Sequence, residues 1–428
     1  MINKLESWIL SISESQIMKR TMVWNMISSI LSGFFTAIIV FFITRISGIE
    51  VAGIINLAAA YGYQCLTLGS FGVRNVQASD VNYENSFSDY FYQRIITSCL
   101  MYFLLIYYSF MSGYALEKAL IIFLFGVFKS IDAIEDLYHG EYQRHNRLDI
   151  GSILLSFRLF ISLVVMVITL FLSKDIILTL FVTCVVSMII FIIQNKNLIK
   201  KFDYGQALKF NKGNVLNLFK ITLPLCLSYF ISMYLTNSPK YAIDQANLGE
   251  SIQGVFGILM MPVFTINLIS NMIFRPLVNN LSVYWNKNNL RKFIKNVCKQ
   301  IILVAIITFS IMIFGYIIGL YLLQIIYGTE LMSYMSSFMI LLFGGGVITL
   351  SNVFLLLLTI QREQNKVIFV YIIGLFLTIL FAQKIVVHCG IIGASWLYVL
   401  INLFMFIAFF GIFCISIYKK HVIIRKED

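Results

Sequence analysis

Apolar runs long enough to cross a hydrocarbon core of roughly 30 Å recur along this chain from end to end, separated by short polar segments. The pattern predicts membrane spans at 22–46, 50–73, 95–113, 119–138, 148–172, 175–193, 216–237, 252–274, 300–322, 332–358, 367–383 and 391–418. Within each span Leu, Ile, Phe and Val follow one another without the strict alternation of a barrel strand. Backbone groups in lipid must be satisfied within their own segment, so these runs predict helices. The expected fold class is an all-α polytopic membrane protein with about twelve transmembrane helices.

Composition agrees. The chain has 428 residues, 59% hydrophobic and 12% charged, where soluble domains carry about 25% charged residues. The first twenty residues show no signal-peptide pattern. Ile2, Leu5, Ile9 and Ile12 lie at helical spacing beside Lys4, Glu6 and Glu14, which suits either a short amphipathic helix on the inner surface or a frayed tail. Seven cysteines, mostly inside apolar runs and without metal or disulfide spacing, read as small buried hydrophobes.

The basic residues set the orientation. Of the 32 Lys and Arg, only Arg45, Lys118, Lys174, Lys240 and Lys384 fall at the ends that become external if the N-terminus is inside. Lys129 and Arg158 lie within spans, and the rest sit in the N-terminal tail, the even-numbered loops and the C-terminal tail. This bias predicts both termini in the cytoplasm. The net charge of +12 then belongs to the cytoplasmic membrane face, where it suits anionic lipids and calls for no nucleic acid.

The two halves echo each other. Lys19, Thr21, Gly48, Gly53 and Arg74 recur 201 positions later as Lys220, Thr222, Gly249, Gly254 and Arg275. Gly126, Gln143 and Arg144 recur 218 positions later as Gly344, Gln361 and Arg362. The expected division is a six-helix lobe over 1–195, a basic cytoplasmic linker over 196–215 and a second six-helix lobe over 216–428. Six spans per lobe give both the same orientation, a parallel repeat of the kind transporters use for alternating access.

Polar side chains inside spans are costly and turn toward a bundle interior or a cavity. The first span carries Asn25, Ser28, Ser29, Ser32 and Thr36 as one stripe; the second carries Asn56, Tyr63, Gln64 and Thr67. The seventh carries Ser228, Ser232 and Thr236, and the eighth Asn267, Ser270 and Asn271. These suit either helix–helix hydrogen bonds or the lining of a cavity. The sharpest cluster is Lys129, Asp132, Glu135 and Asp136 on the fourth span with Arg158 mid-way along the fifth. It reads either as a mutually neutralising packing network or as a charged site for substrate or coupling ion. Antiparallel hairpin geometry puts Arg158 level with Asp132 and Glu135, so it is expected to pair with one of them; loss of Asp132 should then relieve loss of Arg158.

No catalytic constellation appears. The four histidines are scattered without metal-ligand spacing, and there is no phosphate-binding GxxxxGK[ST] loop. A membrane enzyme would be expected to carry a large external loop, whereas the longest one expected here, 238–251, is short.

The stretch Ile131 to Arg158, IDAIEDLYHGEYQRHNRLDIGSILLSFR, resembles the fourth-to-fifth-helix region of bacterial polysaccharide flippases, the O-antigen and capsule repeat-unit transporters often called Wzx-type. These belong with the multidrug and toxic-compound extrusion (MATE) proteins in the multidrug/oligosaccharidyl-lipid/polysaccharide (MOP) exporter superfamily. The shared features are Glu135 and Asp136, Gly140, Gln143 and Arg158, then Thr21 to Gly33, Gly48, Gly53 and the run Phe71 to Asn75; His139 stands where such proteins carry Gln. The resemblance implies a MATE-like, V-shaped pair of six-helix lobes in the bacterial inner membrane. It implies a cleft lined by the first, second, seventh and eighth spans, hence by Asn25, Ser29, Ser32, Asn56, Gln64, Arg74, Ser232, Asn267, Asn271 and Arg275. It implies a polyprenyl-pyrophosphate-linked oligosaccharide as substrate, moved from inner to outer leaflet for cell-surface polysaccharide synthesis, with membrane lipids and polysaccharide polymerase machinery as partners. No cofactor is expected, with proton or sodium coupling left open. The alternative is a MATE-type cation-coupled exporter of small molecules.

Overall fold

The computed structural model describes residues 14–80, 82–198, 210–274 and 277–427, which are helical with no strand among them. The helices are α1 Glu14–Ser47, α2 Ile49–Ser70, the short α3 Val73–Ser79, α4 Phe87–Ile106, α5 Leu116–Arg144, α6 Leu148–Ser173 and α7 Ile176–Leu198. They continue as α8 Lys212–Gln245, α9 Glu250–Leu259, α10 Met261–Phe274, α11 Val278–Asn286, α12 Leu290–Phe314, α13 Leu320–Tyr327, α14 Met335–Ile360 and α15 Gln364–Glu427. Among the described residues, ten helical stretches are long and apolar enough to cross a membrane. The 29-residue α5 is long enough as well, and its mid-helix charges are what set it apart. The 64 residues of α15 would reach about 96 Å if straight. They fold back at Gly390, whose φ of 56° and ψ of −140° only glycine adopts without strain. With α5 included and α15 taken as two arms, the described residues hold the twelve crossings that the apolar runs predict.

The helices run past the predicted spans because polar and basic turns at their ends continue the helix instead of breaking it. The α8 helix reaches Gln245 and α9 begins at Glu250, so the expected external loop 238–251 is mostly helix. Outward positions of α12, among them Ile302, Ile306, Phe309 and Ile313, are each more than half exposed. A surface of that kind is stable only with lipid as its solvent. Three cysteines, Cys65, Cys184 and Cys226, are buried; Cys99, Cys298, Cys389 and Cys414 are exposed, which corrects the expectation of seven buried thiols. Apolar runs place a cysteine within a span but do not say which helix face meets lipid. The N-terminal amphipathic segment, residues 2–12, lies outside the described residues.

The chain divides into two compact units, 1–230 and 231–428, and the division falls inside α8. The first part of α8 is tied into unit one by side-chain bonds: Gln93 Nε2 donates to Thr222 Oγ1 at 2.8 Å, Asn75 Nδ2 to Tyr229 Oη at 2.9 Å and Gln64 Nε2 to the Phe230 carbonyl at 2.9 Å.

Backbone geometry repeats between the units. Gly48 and Gly249, 201 positions apart, cap α2 and α9 with the same φ of 94°. A π-helical turn follows α4 at Tyr107–Met111 and α12 at Gly315–Gly319. The turn after α5 bonds Asn146 N to Gln143 O and Arg147 N to Tyr142 O; the turn after α14 bonds Arg362 N to Thr359 O and Glu363 N to Leu358 O. The left-handed residues of these turns, Asn146 and Arg362, are 216 positions apart. The expected pairing of Gln143 with Gln361 is therefore off by two, because turn geometry fixes the register and residue identity does not.

Candidate functional site

The α5–α6 hairpin builds the site in unit one. Asn146, at φ 58°, closes a tight turn, and α6 runs back antiparallel beside α5. Positions equally far from the turn then share a depth, so Arg158 arrives opposite Asp132 and Glu135. It meets both. Its Nε donates to Glu135 Oε2 at 2.8 Å, and its second terminal nitrogen reaches Glu135 Oε2 at 2.6 Å and Asp132 Oδ1. The remaining nitrogen donates at 2.9 Å to Ser187 Oγ on α7. Arg158 and Glu135 are buried. A guanidinium removed from water needs this many partners, since its desolvation costs several kcal/mol.

Asp132 also accepts a 2.9 Å bond from Lys129 Nζ. Lys129 is buried among aromatic rings, its ammonium 4.6 Å from the Tyr63 centroid and 5.3 Å and 5.4 Å from those of Phe128 and Phe35. Ring faces solvate a cation electrostatically. One turn on, Asp136 lies 3.2 Å from Arg94 and 3.4 Å from Arg74. Arg94 is buried and donates to the Gly69 carbonyl, while the Arg74 side chain is 32% exposed and reaches Gln143 Oε1 at 3.3 Å. The α2 helix can lie this close because a Cβ at Gly62 would come within 2.9 Å of the Phe125 ring, and one at Gly69 within 2.6 Å of Met101 Sδ.

These groups surround a cavity of about 230 Å³ lined by Ser32, Tyr63, Ser70, Arg74, Lys129, Asp132, Glu135, Asp136 and His139, with Phe35, Leu66, Leu155 and Leu159 as its apolar wall. Glu135 Oε1 and His139 Nε2 are buried without hydrogen-bond partners among the described residues and lie 3.8 Å apart, beyond direct bonding range. Among the described residues no three His, Cys, Asp or Glu side chains gather as a metal site.

Of the residues singled out from sequence, the structure brings Ser32, Arg74, Lys129, Asp132, Glu135 and Asp136 to this cavity, with Arg158 bonded to two of its walls. Asn25 and Ser29 are exposed and bond within their own helix, Ser29 Oγ to the Asn25 carbonyl at 2.6 Å. Asn56 and Gln64 are buried in α2 away from the cavity lining. In unit two, Ser232 is half-buried and Asn267 accepts from Asn352 Nδ2 at 3.3 Å. The Asn271 side chain and all of Arg275 lie outside the described residues.

Several participants were not singled out. His139 follows Glu135 by one helical turn, which puts the two on one face of α5. Ser187 follows Thr179 and Thr183 at four-residue spacing, a buried hydroxyl stripe along the otherwise apolar α7. Arg20, Arg94 and Arg144 were expected as loop or tail charges, yet all three are buried in ion pairs, with Asp149, Asp136 and Asp80. Lys240, expected at an outer end, is only 9% exposed within α8 and has no partner among the described residues.

No family model matches the chain, and no curated protein matches it. Solved structures do. The chain is similar to the inward-facing conformation of a multidrug resistance MATE family transporter of the MOP superfamily, at 13% identity and TM-score 0.68, covering 95% of this chain and 100% of that one. It is similar to an outward-facing MATE transporter of the same superfamily, at 13% identity and TM-score 0.56 over 97% and 98%. A MOP superfamily transporter from Pyrococcus furiosus Vc1, described as having reverse polarity of its binding pocket, matches at 15% identity and TM-score 0.56 over 96% and 97%. At these identities the likeness is one of fold.

Proposed function

We propose that this chain is an alternating-access membrane transporter that moves a polyprenyl-pyrophosphate-linked oligosaccharide from the inner to the outer leaflet for cell-surface polysaccharide synthesis. The twelve-crossing MATE-like fold supports the transporter class. The substrate reading rests on Arg74: a partly exposed guanidinium at a polar cavity, held among the described residues by contacts of 3.3–3.4 Å. A pyrophosphate oxygen forms charge-assisted bonds of about 2.7–2.9 Å and would outcompete such loose partners. The surrounding cluster sets four cations, Arg74, Arg94, Lys129 and Arg158, against three acids, Asp132, Glu135 and Asp136, an excess that favours an anion. Sugar hydroxyls and the pyrophosphate cannot cross hydrocarbon unaided because they would lose their hydrogen bonds. In this reading two six-helix lobes, related by an axis along the membrane normal and joined by the basic segment 196–215, rock to open the cleft to either side while the prenyl tail stays in lipid. Both termini lie in the cytoplasm, and the product passes to polymerase machinery outside.

A second reading, a cation-coupled small-molecule exporter, is favoured by the unpaired Glu135 Oε1 and His139 Nε2 facing the same cavity, which suit a proton or sodium ion. Deletion of the gene separates the two. The flippase reading expects sugar-loaded polyprenyl pyrophosphate to accumulate on the cytoplasmic leaflet, and unchanged lipid-linked intermediates in the deletion strain would overturn it.

A further inference from the structure

Unit two carries an apolar groove of about 660 Å³ between the start of α12 and the end of α15. Ile294, Cys298 and Ile301 form one wall, Phe410, Cys414 and Ile417 the other, and Phe354 of α14 contributes to the floor. Along α12 the lining runs from Leu290 to Ile301, and along α15 from His421 to Phe410. Each stretch spans about 16 Å at 1.5 Å per residue, close to half of a hydrocarbon core of about 30 Å. The groove is thus about as long as one leaflet is deep, and its α12 wall lies largely ahead of the apolar run that begins at 300.

Its mouth is basic. Arg291 and Lys295 are exposed on α12 beside the lining face. His421 lines the groove at the α15 end, and Lys420 next to it is held 5.4 Å from the ring centroid of Trp285 on α11, which lies 5.2 Å from that of Phe293 on α12 and so links the end of α15 to the start of α12. No Asp or Glu occurs from Ser251 to Thr329, or from Gln364 to Lys426. Cations in the first turns of α12 also oppose that helix's dipole, a repulsion that an anion at the mouth would relieve.

We propose that this groove is a binding site for an anionic glycerophospholipid of the cytoplasmic leaflet, with an acyl chain between α12 and α15 and the phosphate at Arg291, Lys295 and Lys420. Charge and length decide the occupant: a basic mouth suits an anionic headgroup, and about 16 Å takes an acyl chain, whereas a polyprenyl chain extends beyond it. The cytoplasmic assignment follows from the basic loops. The site does not depend on the transported substrate.

The test uses the full chain in detergent, with native mass spectrometry against phosphatidylglycerol, phosphatidylcholine and polyprenyl phosphate. The expected result is retention of phosphatidylglycerol in preference to phosphatidylcholine. In the Arg291→Gln, Lys295→Gln double variant that preference should fall by roughly thirtyfold, the effect of two cations beside an anionic headgroup. A second readout needs no variant. In nanodiscs, phosphatidylglycerol should slow alkylation of the native Cys298 and Cys414 relative to phosphatidylcholine and leave Cys389, outside the groove, unchanged. Equal alkylation of Cys298 in the two lipids, no preference for phosphatidylglycerol, or tighter retention and stronger protection by polyprenyl phosphate would each overturn the proposal.

Discussion

Replacing Arg158 by alanine tests the charged cluster at its centre. The side chain holds Glu135 through two contacts, Asp132 through one and Ser187 through one. Its loss does not strand the two acids equally. Asp132 keeps Lys129 at 2.9 Å, while Glu135 is 1% exposed and, among the described residues, is left with His139 Nε2 at 3.8 Å as its remaining basic neighbour. Breaking a buried ion pair costs about 3–5 kcal/mol, most of it the penalty of an uncompensated charge. Glu135 is therefore the residue whose neutralisation should repair the fold, a revision of the expectation that Asp132 would. Thermal unfolding of purified Arg158→Ala should show a loss of that size. Adding Glu135→Gln should recover more than half of it, whereas adding Asp132→Ala should recover less, because Lys129 then loses its carboxylate. A double-mutant cycle isolates the coupling. Normal stability of Arg158→Ala, or better rescue by Asp132→Ala than by Glu135→Gln, would refute the reasoning.

Lys240 is a buried cation without a partner among the described residues, so Lys240→Met should raise thermal stability; a destabilised variant would contradict this. Burial raises the Asp80 carboxyl's pKa, but the backbone N–H groups of Asn85 and Glu84, the Tyr90 hydroxyl and Arg144 outweigh it and hold the carboxyl below its ordinary value. Its stabilising contribution is present above the unfolded pKa and lost as pH falls through the depressed one; Asp80→Asn should lower stability at neutral pH and flatten the acid limb of a Tm–pH profile, and an unchanged limb would count against this. In a cysteine-free background, Glu117→Cys should react with an impermeant maleimide from outside intact cells and Asn211→Cys and Asn288→Cys should not; labelling of Asn211→Cys from outside would invert the topology.

The helices were legible because a bilayer demands long apolar runs, and the Arg158 pairing was legible because a hairpin fixes the depth of both its arms. What stayed hidden depends on helices outside that hairpin. Ser187 on α7 and Arg94 on α4 reach the cluster only through packing, which no spacing along α5 and α6 reveals. Helix ends were placed short for a related reason. A charge bias counts every Lys and Arg as a loop residue, yet Arg20, Arg94 and Arg144 lie in helices that run on past the apolar core and end in ion pairs. The polar stripe of α1 shows the limit of periodicity: Ser32 reaches the cavity, while Asn25 and Ser29, nearer the helix start, are exposed.

The central claim is transport of a pyrophosphate-linked oligosaccharide through the Arg74 cavity, and reconstitution tests it most directly. Proteoliposomes holding the purified chain and a fluorescent polyprenyl-pyrophosphate oligosaccharide would be assayed for leaflet exchange by access of an external quencher. The wild type should exchange the lipid faster than empty liposomes. Arg74→Gln, which removes only a loosely held and partly exposed pair worth about 0–1 kcal/mol, should fold normally and lose the exchange. Exchange no faster than in empty liposomes, alongside cation-dependent efflux of small organic cations from the same preparation, would contradict the account.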